Sequence, residues 1–145
     1  MIQAWRLCRR LYADLTGEGA RRFGGRWNRR GRPVVYCAEH PALAALEVRV
    51  HLDLPLELVP NDYVLVCVTL PDRSAATVDS LPDDPAVSGD LWLTGAATAV
   101  LRVPSVLVPH AWNLLLNPAH PVANEAAIAS VEPFRFDPRL WQPPL

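Results

Sequence analysis

The sequence predicts one domain of the α/β (α+β) class, with a mixed β-sheet core flanked by helices, and three observations carry that expectation. The chain has 145 residues, enough for one hydrophobic core and too few to expect two. Tyr63-Val64-Leu65-Val66-Cys67-Val68-Thr69-Leu70 is a nearly unbroken β-prone run bounded by Asp62 and Pro71, as expected of a strand covered on both faces. Between Pro41 and Pro55, Leu43, Leu46, Glu47, Val50 and His51 follow the i, i+3, i+4, i+7, i+8 spacing of one helical stripe.

Taken in chain order, Trp5 to Cys8 alternates well enough for a short strand, while Tyr12 to Arg32 is rich in glycine and arginine without apolar periodicity. The second segment reads as a long functional loop. Pro33-Val34-Val35-Tyr36-Cys37 has the β-branched and aromatic content of a strand and leads into Glu39-His40-Pro41, where proline suits the first turn of a helix. The stripe on that helix turns Glu47 inward with the leucines. Pro71 to Asp90, rich in Pro, Asp and Ser, reads as a surface connection, and Leu91 to Leu101 as a helix with Gly95 as its weak point. Pro104 then forces a break. Val106-Leu107-Val108 has the look of a buried strand, Asn113 to Asn117 of a second short element, and Val131 to Phe136 of a last strand before a proline-rich tail over residues 137–145.

Composition excludes several kinds of chemistry. Hydrophobic residues make up 50% and charged ones 20%, enough apolar material to offset ordering entropy. A net charge of −1 and a pI near 6.4 supply no general basic surface for a nucleic-acid backbone, although arginines cluster between Arg21 and Arg32. All 14 basic residues are arginines, so neither a Schiff-base lysine nor a P-loop lysine is present. Cys8, Cys37 and Cys67 are odd in number and have no CxxC spacing, which suits reduced thiols in a cytoplasmic setting. Met1 to Arg10 lacks the apolar region of a secretory signal, and Arg102 interrupts the apolar stretch from Leu91 to Pro109, so neither secretion nor a membrane span is expected. His40, His51, His110 and His120 form no HxxxH or HExxH pattern, and no GxGxxG follows a strand; neither a metal nor a Rossmann site is expected.

Six places carry candidate chemistry. In Gly24-Gly25-Arg26-Trp27-Asn28, glycine leaves the backbone open to an anion and Arg26 offers a planar fork of donors matching phosphate oxygens. Trp27 either stacks on a base or anchors the loop to the core. Glu47, a charge on an apolar stripe, is either a pocket carboxylate or half of a structural ion pair with an arginine. Tyr36 ends a strand beside the loop, where its ring faces a flat heterocycle or simply the core. Ser105 is either a binding serine or a turn residue, and no GxSxG elbow surrounds it. Asn113 and Asn117, four apart, share a side in a strand or a helix and either face a cleft or form turns. His51, on the helical face of Glu47, either orients it or is a satisfied core histidine.

Gly24-Gly25-Arg26-Trp27-Asn28, Val34-Val35-Tyr36, Ala42-Leu43-Ala44-Ala45-Leu46-Glu47, Val103-Pro104-Ser105 and Asn113-Leu114-Leu115-Leu116-Asn117-Pro118-Ala119-His120-Pro121 together resemble the RES-domain family. The order and spacing agree from about Trp5 to about Phe136. The resemblance implies a single RES domain over the chain, with a fold similar to ADP-ribosyltransferase toxins. It also implies a bacterial toxin of a toxin–antitoxin pair that cleaves NAD at the nicotinamide–ribose bond, by hydrolysis or phosphorolysis, and depletes the cell of it. NAD is then a substrate, inorganic phosphate a co-substrate in the phosphorolytic case, and no bound cofactor is needed. The implied roles are Arg26 on the pyrophosphate, Tyr36 beside the nicotinamide, Glu47 on the ribose, and Ser105 and Asn113 in nucleotide binding. Arg6, Trp27 and Asn117 line or brace the cleft. The implied partner is an Xre-like antitoxin that covers the pocket and supplies the DNA binding, so that this chain does not itself touch DNA. Two alternatives stand beside it: an ADP-ribosyltransferase acting on a protein, and a non-catalytic nucleotide-binding or interaction module, since no nucleophile or catalytic dyad is evident. Trp141 in the tail either docks on a second subunit, giving a homodimer, or covers its own core.

Overall fold

In the computed structural model, which describes residues 1–141, the elements are β1 (Ile2–Arg9), α1 (Glu18–Phe23), β2 (Val35–Ala38), α2 (Pro41–His51), β3 (Tyr63–Leu70), β4 (Ala75–Thr77), α3 (Pro85–Gly95), β5 (Val100–Pro104), β6 (Trp112–Leu116) and β7 (Ala127–Pro133), with short 3-10 turns between them. The strands form one sheet in the order β4-β5-β6-β2-β1-β3-β7. Only β4 and β5 run parallel, joined through α3; the other neighbours are antiparallel.

Side chains alternate between the faces of a strand, and here the alternation sorts the core. Ala4, Val35, Cys37, Val64, Val66, Val68, Leu70, Val100, Leu114 and Leu116 gather on one face, capped by Leu15, Val122, Ala123 and Ala126. The opposite face carries two separate clusters. Val34, Leu101, Val103 and Leu115 pack with Leu93 of α3 and with Trp27, whereas Leu7 and Ala38 pack with Leu43 and Ala44 of α2 and with Phe136. Tyr36 sides with the first of these clusters and Ala38, two residues on, with the second. The boundary between them therefore runs over β2.

The α+β class and the mixed sheet stand, and β3 and α2 begin and end close to the positions their patterns indicate. Several elements differ from expectation, each for a local reason. The Gly/Arg-rich segment contains α1, which buries none of its residues and so has no apolar period; Glu18 instead holds Arg21 at 2.7 and 2.6 Å and Arg22 at 3.2 Å. The connection from Pro71 to Asp90 holds β4 and the first half of α3. That helix starts at Pro85, where the Asp84 carboxylate accepts the Val87 N–H at 3.3 Å, and it stops at Gly95, leaving Val100 and Leu101 to β5. Val106-Leu107-Val108 is the turn joining β5 to β6 rather than a buried strand. The last strand lies earlier than expected, at Ala127–Pro133, because it is exposed along its whole length and carries no clear alternation.

The tail closes the domain on itself. Trp141 stacks edge-on against Phe136, lies under the Arg49 guanidinium at 3.9 Å, and donates its indole N–H to the Leu54 carbonyl at 2.8 Å. Of the two roles open to Trp141, these contacts show packing on its own core; residues 142–145 of the tail lie outside the described residues. Among the described residues the three cysteines are free thiols, and no helix is long and apolar enough to cross a membrane.

One contact ties α3 to the arginine-bearing loop. Gly89 packs so closely on the Trp27 backbone that a β-carbon there would fall 1.7 Å from the Trp27 carbonyl oxygen. Gly89→Ala is expected to destabilise the fold by about 1–3 kcal/mol through this overpacking. In contrast, Gly95→Ala meets no atom within 4 Å and is expected to be neutral or stabilising by up to about 1 kcal/mol. Urea unfolding midpoints of the two variants check the contrast.

Candidate active site

The loop after α1 is built around a tight turn. The helix ends at Gly24, whose φ of 71° lies in the left-handed region, and Gly25 and Asn28 then pair across the turn, N to O at 3.0 and 3.4 Å. Arg26 and Trp27 occupy its corners and differ in burial. Trp27 is buried under α3, with 3% of its surface exposed, whereas Arg26 stands out over the cleft. Below them the Tyr36 hydroxyl accepts the Trp27 N–H at 2.9 Å and donates to the Asn28 side-chain oxygen at 2.6 Å. Gly25 must lack a side chain, since a β-carbon there would sit 2.8 Å from the Tyr36 hydroxyl. Burial pushes the Tyr36 phenol well above its ordinary pKa, so it serves as a neutral hydrogen-bonding group.

Glu47 reaches the cleft from the other side. The core-facing stripe of α2 is Leu43, Ala44, Glu47 and Val48, while Leu46 is 42% and Val50 54% exposed. The sequence stripe was thus rotated by part of a turn, yet Glu47 lies within both versions. Burial raises its carboxyl pKa, and three groups work against that rise: the Asn113 side chain, then the charges of His51 and Arg26. Among the described residues Glu47 forms no ion pair with an arginine, which removes the structural alternative. His51 is exposed rather than a core histidine. Arg26, Tyr36, Glu47 and Asn113 all line one cavity of about 760 Å³, lying over β2 at the boundary between the two clusters on that face. A space of that size suits a dinucleotide-sized ligand.

A family model described as the RES domain matches residues 3–137. The chain belongs to the RES-domain family. Toxin Res of Pseudomonas putida is 41% identical over 145 residues, covering 94% of this chain and 98% of that protein. A Sphingobium protein named Prs ADP-ribosylating toxin is 44% identical over 144 residues, with 88% and 86% covered. Among solved structures, a chain of the M. tuberculosis MbcT–MbcA toxin–antitoxin complex superposes with a TM-score of 0.71 at 18% identity, covering 96% of this chain and 86% of that one. That likeness shows a shared fold.

Within this RES domain the expected site residues divide in two. Arg26, Tyr36, Glu47, Asn113, Arg6 and Trp27 line the cavity. Arg6 also donates through Nη1 to the carbonyls of Tyr12 (3.2 Å) and Asp14, so it braces the cleft wall. Trp27 anchors its loop. Ser105 stands at the rim between Pro104 and Val106, both of which line the cavity, but its Oγ accepts the Leu107 and Val108 N–H groups at 3.1 and 3.2 Å and shapes the β5–β6 turn. Asn117 faces away from the cavity: it is buried, donates to the Leu93 carbonyl at 3.3 Å and accepts the Ala119 N–H at 3.1 Å, tying the end of α3 to β6. The four-residue spacing from Asn113 keeps it on the α3 side of the sheet, but there α3 covers it, as its bond to Leu93 and its burial show. Asn28 is the member that residue-by-residue reading passed over. Its signal was an asparagine directly after a buried tryptophan in a glycine turn, a place where a side-chain amide satisfies loop carbonyls.

The raised pKa of Glu47 makes a stability statement. The folded state holds the Glu47 proton more tightly than the unfolded state, so this group's contribution is full at acid pH and is lost as pH rises through and above the ordinary glutamate range. Glu47→Gln removes that loss. The variant is expected to gain stability relative to the parent between about pH 4 and about pH 7, read from urea midpoints at both pH values.

Proposed function

We propose that this RES domain is the toxin of a toxin–antitoxin pair and cleaves NAD at the bond between nicotinamide and ribose. The observation that carries the reading is that a guanidinium and a partly desolvated carboxylate project from opposite walls of one dinucleotide-sized cavity. Arg26 has the fork geometry for the pyrophosphate, and its mount on a glycine turn lets phosphate oxygens approach the backbone. Tyr36 offers its ring to the nicotinamide. Glu47, which lines the cavity together with Asn113, orients the ribose hydroxyls and offsets the positive charge that develops at the anomeric carbon as the bond lengthens. The bonding pair leaves with nicotinamide, which departs neutral. Water or inorganic phosphate then supplies an oxygen to the anomeric carbon, water losing its proton to solvent. Ser105, at the rim, has its hydroxyl proton free for a phosphate or ribose oxygen while its lone pairs hold the turn. None of these steps calls for a bound cofactor.

The relatives named Toxin Res support the toxin reading, and the toxin–antitoxin assembly that contains the structural neighbour supports an antitoxin as partner. A second reading, transfer of the ADP-ribosyl group to a protein, is favoured by the relative named Prs ADP-ribosylating toxin. Both readings use the same cleft and differ only in the acceptor.

Incubation of the purified chain with NAD, followed by chromatography and mass spectrometry, is expected to yield nicotinamide together with ADP-ribose or its 1″-phosphate. ADP-ribose retained on a protein in lysate supports the second reading, and unchanged NAD under all conditions leaves a non-catalytic module. Glu47→Gln is expected to lower kcat by about 10²–10³-fold with little change in KM, because its interaction strengthens as charge develops. Arg26→Ala is expected to act mainly on KM, raising it by about 10–100-fold, as for a lost charge-assisted hydrogen bond.

A further inference from the structure

Asn28 makes no contact that requires a ligand, yet it is one of the most constrained side chains in the chain. It is 2% exposed. Its Nδ2 donates to the carbonyls of Ala20 (2.9 Å), Arg29 (3.1 Å) and Arg32 (3.0 Å), and its Oδ1 accepts the Tyr36 hydroxyl at 2.6 Å. With only two amide hydrogens for three carbonyls, one hydrogen is shared, and the side chain has no donor capacity left over. Those partners lie on every side of the Arg26 turn: Ala20 in α1 before it, Arg29 and Arg32 in the strap after it, and Tyr36 in the sheet beneath. The backbone of Asn28 closes the same turn by pairing with Gly25. Asn28 does not line the cavity; Gly25, Arg26 and Trp27 do.

We propose that Asn28 is the positioning residue of the cleft, fixing the Gly25–Asn28 turn to the sheet so that Arg26 faces Glu47. A long arginine on a glycine turn has many rotamers and two flexible hinges, and both Gly24 and Gly25 lie on its approach. Without an internal tether the guanidinium samples solvent, and its binding contribution falls by the fraction of time it is misplaced. One amide that bridges helix, strap and strand supplies that tether. The inference rests on the assignment of Arg26 to the substrate for its kinetic consequence, but not for its structural one.

The test is a double-mutant cycle with hydrogen exchange as a second readout. Asn28→Ala is expected to raise KM for NAD by up to about 10²-fold with kcat within a few-fold of the parent, the pattern of a misplaced binding group. In an Arg26→Ala background the same substitution is expected to add little, since the group it positions is gone. Independently of any substrate, amides of Gly25 to Arg32 are expected to lose exchange protection in Asn28→Ala while those of β3 keep theirs. Full additivity of the two substitutions in KM overturns the proposal, as does unchanged exchange in the loop. Where NAD is not consumed by the parent chain, the reaction assignment fails, and the exchange comparison alone decides the positioning role. Should Asn28→Ala lose its native circular dichroism, Asn28→Ser, which keeps a donor but cannot reach the three carbonyls, carries the same measurements.

Discussion

The site depends on a gap that the packing leaves open. Two helices shield one face of the sheet, α3 over β5 and β6 and α2 over β1 and β2, and they do not meet above the middle of β2. A sheet face left uncovered exposes apolar area to water at a cost of roughly 25 cal/mol per Å². Here the exposed strip is kept narrow, and its rim is furnished with polar groups that need it: Arg26 from the loop on the α3 side, Glu47 from α2, and Asn113 from β6. Tyr36 and Ala38 lie on the floor, each belonging to a different hydrophobic cluster. The cleft is therefore the seam between two cores rather than a hole in one.

The two sides of that seam are held by different physics. On the helix side, Glu47 is positioned by ordinary apolar packing of Leu43, Ala44 and Val48, and its charge is tolerated at some cost in solvation. On the loop side there is little apolar anchorage beyond Trp27, and hydrogen bonds do the holding. The chain from the Trp27 N–H through the Tyr36 hydroxyl to the Asn28 amide leaves no buried side-chain donor or acceptor unpartnered among the described residues. Such a network specifies one geometry because every alternative strands a polar group.

This difference in physics decides what was legible in the sequence. Elements held by apolar periodicity, β3 and α2, can be read directly, and the inward place of Glu47 comes with the stripe of α2. Elements held by polar contacts cannot: α1 is stabilised by Glu18 with two arginines, and β7 gains its place from ladder bonds to β3 while its side chains stay in water. The first half of α3 was hidden by a different effect, since the Asp84-Pro85 start that caps it looks like the turn chemistry of a surface connection. Ser105 and Asn117 illustrate the limit of residue type as evidence. Each sits in the expected stretch, but whether a hydroxyl or amide faces ligand or backbone depends on the turn or helix that meets the end of its strand. The amide of Asn28 escaped notice for the opposite reason, because its partners are carbonyls, which every residue has.

The position of β2 in the sheet sets an order of events during synthesis. It is flanked by β1, from the first residues of the chain, and by β6, which begins only at Trp112. A growing chain that has emerged as far as α3 already contains Arg26, Tyr36 and Glu47, yet it has an unpaired edge where the cavity floor should be and no Asn113 beside the carboxylate. Until β6 has been made, the floor strand of the cavity therefore lacks one of its two neighbours, so the cleft takes its shape only from the last quarter of the polypeptide.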